Sequence, residues 1–315
     1  MNLLALLTVL LAAEPMSPVT GIAVVPDGKA ILVASQNGIQ ELSWPERKPL
    51  RTWPTPFSHV HDLVFAPGGK QLALCGGQPG ESGEVEVWNW PAGKTIKQLG
   101  LGEDVIQAVA WSRNERTIGL ASADKSLVLY TLETNTTRTI HDHSGSVLAA
   151  LFVAISKEKA LAGELLLSAG RDGTIRVYDA ATTKSVRTLD NHTAAVNALA
   201  LRPGHDGELP MVASGGEDRT VRFWQPSIGR LVRFVRLPAP VLTVQWLPDG
   251  SQLVAVGTDG WLRVIDPQTA EIVLEKRVAT GWLYSLAIAP EGTAAIVGDD
   301  VGELHFVPLE GMKRK

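Results

Sequence analysis

A short apolar segment that ends at a tight turn occurs seven times along the 315 residues of this chain, and this recurrence limits the possible folds more than any other feature. Proline follows the apolar residues in five copies, and proline ends a strand because it cannot donate a hydrogen bond to a ladder. Self-similarity along a chain indicates a fold built from equivalent units. The copies with proline are VTGIAVVPDG (19–28), VHDLVFAPGG (60–69), VNALALRPG (196–204), VLTVQWLPDG (241–250) and LYSLAIAPEG (283–292), and those without it are VIQAVAWSRN (105–114) and VLAALFVAIS (147–156).

A second segment, in which apolar and polar residues tend to alternate, follows each of these copies and ends at an aromatic or aliphatic residue. Alternation with a period of two is typical of a β-strand. Successive end markers lie 41 to 48 residues apart, and no stretch keeps a helical period long enough to predict a helix. Each unit therefore reads as four strands joined by turns and a loop. The markers are Trp88, Tyr130, Tyr178, Trp224, Ile265 and Val307, and a further copy, GIQELSW, ends at Trp44.

The composition excludes several classes of protein. Hydrophobic residues make up 45% of the chain, which excludes bulk disorder. The formal net charge is −4, whereas a dedicated nucleic-acid binder normally has a basic excess, so no nucleic-acid partner is expected. Cys75 is the one cysteine, so the chain cannot form an internal disulfide or a cysteine-cluster metal site.

The best-defined unit runs from 191 to 226 and carries four polar or aromatic markers: His192 before its first strand, Ser214 in the second, Asp218 in the tight turn and Trp224 in the third. This set, with the segment SGGEDRTVRFW around the turn, resembles the WD40 repeat family, in which four strands form one propeller blade and the period is about 40–45 residues. The resemblance implies a hydrogen-bonded relay within the blade, from the Trp indole to Ser, to His and to Asp.

A second copy of this set stands in the preceding unit, with His143, Ser168 and Asp172, and with Tyr178 in place of the tryptophan. The resemblance implies the same structural relay there. In other units the turn aspartate persists, as at Asp124, but no histidine stands at the matching position.

The predicted fold class is all-β: a single seven-bladed β-propeller of four-stranded antiparallel blades. A ring of blades covers the apolar faces of each sheet and leaves only short edges exposed. The first strand of each unit, the most apolar, should line the centre, and the fourth should lie outside. We expect one domain over residues 17–315, with blades at about 17–56, 57–101, 102–142, 143–190, 191–237, 238–279 and 280–312.

The apolar run 3–13, within an N-terminal segment of residues 1–16, permits two interpretations. It is too short to span a bilayer, which needs about 20 residues, and no other segment is a candidate span. Its length suits a signal peptide cleaved near Ala13, although no Lys or Arg precedes it; this interpretation predicts export to the periplasm or medium rather than a cytoplasmic location. Alternatively, residues 7–13 supply the outer strand that the last blade lacks, as the resemblance implies, although this run has none of the charges of the other outer strands.

The resemblance also implies a partner-binding rim, where the loops before the first strands meet the turns between the second and third strands. Tryptophan and arginine are the side chains most enriched at interface hot spots. We therefore expect a non-catalytic scaffold that binds a protein or peptide partner through this rim. The residues expected there are Trp261, Trp282, Arg171, Arg219, Lys125 and His141.

Sequence motifs for catalysis are missing: there is no nucleophile elbow, zinc-protease helix or phosphate-binding glycine loop. No catalytic residue, metal site or cofactor is therefore predicted, and the pairs 59/61 and 141/143 are interpreted as loop and relay histidines. The alternative is a propeller enzyme, similar to lactonases or quinoproteins, with a site at the central channel. The polar residues that the inner strands offer for such a site are His61, Asp62, Asn197 and Gln245.

Overall fold

The structure is a computed structural model that describes residues 17–55, 57, 59–155, 163–204 and 209–309. These residues form seven antiparallel sheets and no helix, which confirms the predicted all-β class and the seven-bladed propeller. The described residues accordingly include no helix that could cross a membrane. Both interpretations of residues 1–16 concern a segment outside the described residues.

Six of the sheets have four strands and the last has three, and within each sheet the strands lie side by side in chain order. Blades one to three are β1 (Gly21–Val24), β2 (Ala30–Ser35), β3 (Gly38–Ser43), β4 (Pro49–Trp53); β5 (Val60–Phe65), β6 (Gln71–Gln78), β7 (Ser82–Asn89), β8 (Lys94–Gly100); and β9 (Ile106–Trp111), β10 (Thr117–Ser122), β11 (Leu127–Thr131), β12 (Thr136–Ile140). Blades four and five are β13 (Val147–Ile155), β14 (Gly163–Gly170), β15 (Ile175–Asp179), β16 (Ser185–Leu189); and β17 (Val196–Leu201), β18 (Val212–Gly216), β19 (Thr220–Gln225), β20 (Arg230–Arg236). Blades six and seven are β21 (Val241–Trp246), β22 (Leu253–Gly257), β23 (Trp261–Asp266), β24 (Glu271–Arg277); and β25 (Leu283–Ile288), β26 (Ala294–Asp299), β27 (Leu304–Pro308).

The first strands of neighbouring blades contact one another around the ring, and β25 of blade seven contacts β1 of blade one. Two hydrogen bonds reinforce this junction: Val19 N donates to Asp299 O at 3.2 Å, and Ser285 Oγ donates to Val19 O at 2.9 Å. The ring therefore closes through its inner strands. In the described part of the chain, the outer edge of β27 has no partner strand.

Each blade packs both of its faces against its neighbours, because successive side chains on a strand point to opposite faces. In β19, Val221 and Phe223 lie in one apolar cluster with Trp246 of blade six. Trp224, one residue further on, lies in a different cluster with Val177 of blade four. One strand thus contributes to two interblade cores.

In six blades the ladder between the first and second strands skips one residue near the start of the first strand, at His61, Gln107, Leu148, Asn197, Leu242 and Tyr284. Such β-bulges redirect side chains, and all six of these residues line the central channel. The bulge also brings two backbones together. A Cβ built on Gly257 at the end of β22 would lie 2.0 Å from the carbonyl oxygen of Pro240, so only glycine fits there.

Candidate functional site

Blade five contains a buried hydrogen-bonded relay at the upper rim, the edge of the ring formed by the loops before the first strands and the turns between the second and third strands. Trp224 Nε1 donates to Ser214 Oγ at 2.8 Å, and Ser214 Oγ lies 2.7 Å from His192 Nε2. His192 Nδ1 lies 2.9 Å from Asp218 Oδ2. The structure thus brings the four predicted residues together and ties the loop before β17 to the turn before β19.

The relay requires one tautomer of a neutral His192. Because the Ser214 hydroxyl accepts from the indole, its own hydrogen is available to Nε2, and Nδ1–H then donates to the carboxylate. The hydrogen-bond partners of the two ring nitrogens thus assign the hydrogen to Nδ1 of His192. Burial lowers the pKa of His192 below 6.5, although Asp218 opposes the shift, which favours the neutral ring. Burial alone would raise the pKa of Asp218, but hydrogen bonds from Thr220, Thr193 and His192 hold it below its usual value.

Blade four repeats most of this relay. His143 Nδ1 lies 3.0 Å from Asp172 Oδ2, and His143 Nε2 lies 2.7 Å from Ser168 Oγ. Tyr178 is buried, but its hydroxyl has no hydrogen-bond partner among the described residues, so the relay predicted to include it ends at Ser168. The reason is geometric: a phenol carries its polar atom at the end of the ring axis, whereas an indole carries its N–H at the side.

The two relay histidines predict how stability depends on pH. Burial lowers the pKa of both His143 and His192 in the folded state, whereas the unfolded chain protonates them near pH 6.5. The unfolded state therefore binds more protons below that pH, and the free energy of unfolding should fall as the solution is acidified below about pH 6.5. Urea unfolding across this range measures the slope. The variant His192→Gln should reduce this slope, and His141→Gln, at an exposed position, serves as the control. Because burial raises the pKa of Asp62 to about 6, which acts in the opposite direction, equal slopes for wild type and His192→Gln would contradict the prediction.

Blades six and seven replace the relay with other side-chain contacts of an aspartate, which the sequence motifs did not reveal. In blade six Arg263, only 4% exposed, donates through Nη2 to Asp259 Oδ2 at 2.7 Å. In blade seven His305 Nε2 lies 2.8 Å from Asp299 Oδ2. The ligand atoms of Asp299, Glu303 and His305 lie within 4.8 Å of one another, so among the described residues this is the group able to hold a divalent cation.

Blades one and two place carboxylates at the matching position of the third strand. Glu86 accepts from the indole of Trp88 at 2.7 Å, and Glu41 accepts from Trp53 at 3.1 Å and from Arg51 at 2.6 Å. Both glutamates are buried. A sequence signal for these residues exists: an ionisable residue stands in the middle of the third strand in GIQELSW, GEVEVWN, GTIRVYD, TVRFWQ, WLRVID and GELHFVP.

The central channel has a volume of about 720 Å³ and is lined by the inner strands, including His61, Asp62, Asn197 and Gln245. Two of these polar side chains link neighbouring blades. Asp62 accepts from the main-chain N–H of Val109 in blade three at 3.1 Å, and Asn197 donates to the carbonyl of Val241 in blade six at 2.8 Å. Burial raises the pKa of Asp62 to about 6. Asp62 and Asn197 therefore join neighbouring blades at the channel.

The six residues predicted for the rim are spread over five blades. Lys125 and Arg219 occupy left-handed turn positions with φ of 76° and 63°, and both are exposed. Arg171 and His141 are also exposed in the turn and loop of blade four. Trp261 is half-buried, with its ring 5.9 Å from the Arg263 guanidinium, whereas Trp282 is 47% exposed.

Trp282 belongs to an apolar patch on the upper rim that we call the aromatic patch, comprising Trp282, Tyr284 and Val301. All three are exposed, and the rings of Trp282 and Tyr284 lie 5.8 Å apart. Asp300 N donates to Trp282 O at 3.0 Å, which fixes the turn after β26 against the loop before β25. Tyr284 and Val301 were not predicted from the sequence: Tyr284 stands within the repeated apolar segment LYSLAIAPEG, whose pattern gives no sign of exposure, and Val301 stands in a turn outside the repeated segments.

Seven four-stranded or three-stranded blades in a ring, with a Trp–Ser–His–Asp relay inside one blade, define a β-propeller of repeated sequence units. The family model "WD domain, G-beta repeat" matches residues 134–179, 183–225 and 231–266. The protein therefore contains WD40 repeats within residues 134–266 of its seven-bladed propeller. Each match begins at or near the outer strand of one blade and ends with the third strand of the next, so the sequence repeat is offset from the blade by one strand.

Several characterised proteins are similar to this chain. The B-type cell cycle switch protein ccs52B of Medicago truncatula is 23% identical over 227 residues, which cover 71% of this chain and 45% of the relative. The nuclear distribution protein PAC1-2 of Uncinocarpus reesii is 30% identical over 190 residues, covering 59% and 40%. Meiotic fizzy-related protein 1 of Schizosaccharomyces pombe is 22% identical over 270 residues, covering 82% and 59%. The chain thus spans about half the length of these relatives.

Proposed function

We propose that this protein is a non-catalytic scaffold that binds a protein or peptide partner through the upper rim of blades six and seven. The observation that carries the proposal is the aromatic patch: two adjacent aromatic rings stand exposed on a rim that hydrogen bonds hold in place. Exposed apolar patches on a rigid surface are typical of binding sites, and aromatic side chains dominate interface hot spots.

Neighbouring contacts support this position on the rim. The turn before β23 touches the loop before β25, because a Cβ on Gly260 would lie 2.2 Å from Ala279 O and 3.0 Å from Gly281 O. Half-buried Trp261 therefore stands beside the aromatic patch, on the adjacent blade. The relatives named above are a cell cycle switch protein, a nuclear distribution protein and a meiotic fizzy-related protein, names that describe no chemical reaction.

Trp282→Ala should reduce recovery of the partner by about tenfold or more, since truncating a hot-spot tryptophan removes a large apolar contact. The measurement is quantitative affinity capture from the source organism with wild-type and variant protein side by side. Ile96→Ala is the matched control, because Ile96 is 43% exposed on the outer strand of blade two and should leave recovery unchanged. Equal recovery with wild-type and Trp282→Ala protein would reject the aromatic patch as the binding site.

A further inference from the structure

An unusual concentration of positive charge lies in blade five. Residues 219–248 contain five arginines and no aspartate or glutamate, in a chain whose formal net charge is −4. Three of these arginines stand in β20, and all three are exposed. The three arginines of β20 belong neither to the relay nor to the aromatic patch. The arginines of the segment are Arg219, Arg222, Arg230, Arg233 and Arg236.

The register of the blade places part of this charge in a groove between the outer strands of blades four and five. Phe234 pairs with Arg222 and Arg236 pairs with Thr220, on the face of blade five whose Trp224 packs against blade four. Blade four contributes Arg187 from β16, whose Nη2 donates to Ser227 O at 3.0 Å, just before β20. We call Arg187, Arg222, Phe234 and Arg236 the basic groove.

The charge of this groove is only partly compensated. Arg222 lies 3.5 Å from Asp218, but within the described ranges no carboxylate lies within 4.0 Å of Arg187 or Arg236. The buried Nε of Arg187 has no hydrogen-bond partner. Phe234 is 55% exposed, and the Arg222 guanidinium stacks 5.3 Å from the centre of its ring. The groove therefore combines two guanidinium groups, those of Arg187 and Arg236, that have no carboxylate partner among the described residues with an accessible aromatic face.

We propose that the basic groove binds an extended, carboxylate-rich segment of a partner polypeptide along the outer edge of β20. As the outermost strand of its sheet, β20 presents unpaired main-chain groups with which a further strand can pair. Guanidinium groups bind carboxylates through paired hydrogen bonds, which selects an acidic segment. The same arginines repel a second copy of β20, so the edge resists self-association.

An acidic polypeptide fits this groove better than a nucleic acid does. The five arginines of residues 219–248 belong to one blade, and because the whole chain has a net charge of −4, a nucleic-acid backbone extending beyond this blade would meet residues whose charges sum to a negative value. A short extended peptide fits beside one seven-residue strand and gains main-chain hydrogen bonds that a nucleic acid cannot supply.

Fluorescence anisotropy with a labelled oligoglutamate peptide and with oligo(dT) tests the proposal. Wild-type protein should bind the peptide, more weakly as ionic strength rises, and the double variant Arg187→Gln/Arg236→Gln should bind it about fivefold more weakly or worse. The matched control Arg116→Gln/Lys94→Gln removes two exposed charges from blades three and two and should bind as wild type does. An unchanged unfolding midpoint shows that the double variant is folded.

Three results would overturn the proposal. The first is no binding of oligoglutamate by wild-type protein, and the second is equal loss of binding in the control variant, which would show attraction without a site. The third is tighter binding of oligo(dT) than of the peptide at the same groove. Phe234→Ala keeps every charge and should weaken the binding of an oligoglutamate peptide that contains leucine. Trp282→Ala should not change the binding of either peptide, since the aromatic patch and the basic groove are separate surfaces.

Discussion

Asp218→Ala is expected to lower the free energy of unfolding by about 3–5 kcal/mol, the usual effect of removing one partner from a buried, hydrogen-bonded charge network. The Asp218 side chain accepts from His192 Nδ1 at 2.9 Å, from Thr220 Oγ1 at 2.7 Å and from the main-chain N–H groups of Thr193 and Thr220 at 3.2 and 3.0 Å. Truncation leaves these donors, and the Arg222 guanidinium, without their acceptor in a site closed to water. Each unpaired buried group adds its own desolvation cost.

Two variants make this effect specific to the relay. Glu217→Ala, at the exposed neighbouring position, should change the free energy of unfolding by less than about 0.5 kcal/mol. Asp124 occupies the same turn in blade three and accepts from Ser126 N at 2.8 Å and from Glu103 N at 3.1 Å, but it has no histidine partner. Asp124→Ala should therefore cost about 1–2 kcal/mol. If Asp218→Ala and Asp124→Ala lowered the free energy of urea unfolding equally, the relay would add no stability beyond that of the turn hydrogen bonds.

The blade architecture was predictable because each blade repeats the same physical problem. Every unit must end one strand, make a tight turn and bury two faces, so the same residue types recur at the same places. The relay of blade five was predictable for the same reason, since His192, Ser214, Asp218 and Trp224 stand at family positions. These are local requirements that leave a trace in the sequence.

Contacts made by side chains that differ from one unit to the next were not predictable in this way. In blade six Arg263 of the third strand binds the turn aspartate Asp259, whereas in blade five a relay histidine binds the aspartate of the matching turn. The two partners of Arg263, Asp259 and Glu275, lie on either side of it in the sequence. Tyr178 occupies the position of a relay tryptophan, yet its hydroxyl makes no hydrogen bond within the described part of the chain, because side-chain shape decides the last contact. Substitution within a repeat therefore preserves the packing more faithfully than the hydrogen bonding.

The exposed surface residues also include some that the sequence revealed and some that it did not. Trp282 could be singled out because no motif requires a tryptophan there, and the structure places it in the open. Tyr284 was missed because a bulge, which cannot be read from alternation, carries its ring to the channel mouth beside Trp282. The basic groove was missed because the net charge of the whole chain conceals a local excess in one blade.

Gly257→Ala is expected to lower the free energy of unfolding by about 3 kcal/mol, at the upper end of the cost of inserting one methyl group into a filled space. The added Cβ would lie 2.0 Å from the carbonyl oxygen of Pro240 and 3.0 Å from its carbonyl carbon. Both are main-chain atoms at the start of an inner strand, so no side-chain rotation relieves the contact. The same close approach recurs in blade two, where a Cβ on Gly76 would lie 1.9 Å from His59 O, whereas Ser122 and Asp299 stand at the matching position of the bulges in blades three and seven.

Gly100→Ala is the matched control, since Gly100 also ends a strand but a Cβ there would meet nothing within 4 Å. Neither glycine has a left-handed φ, so the two variants differ only in the space available to the methyl group. Alanine restricts the unfolded chain, and Gly100→Ala should therefore raise the free energy of unfolding by about 0.5 kcal/mol. If urea unfolding showed a lower free energy of unfolding for Gly257→Ala and a higher one for Gly100→Ala, the loss would come from the contact between the added Cβ and the Pro240 carbonyl. A loss of no more than about 0.5 kcal/mol for Gly257→Ala would contradict the prediction, because it would mean that the main chain of the inner strand shifts easily to make room for the methyl group. The bulge would then not hold Leu242 and its neighbours in fixed positions around the channel.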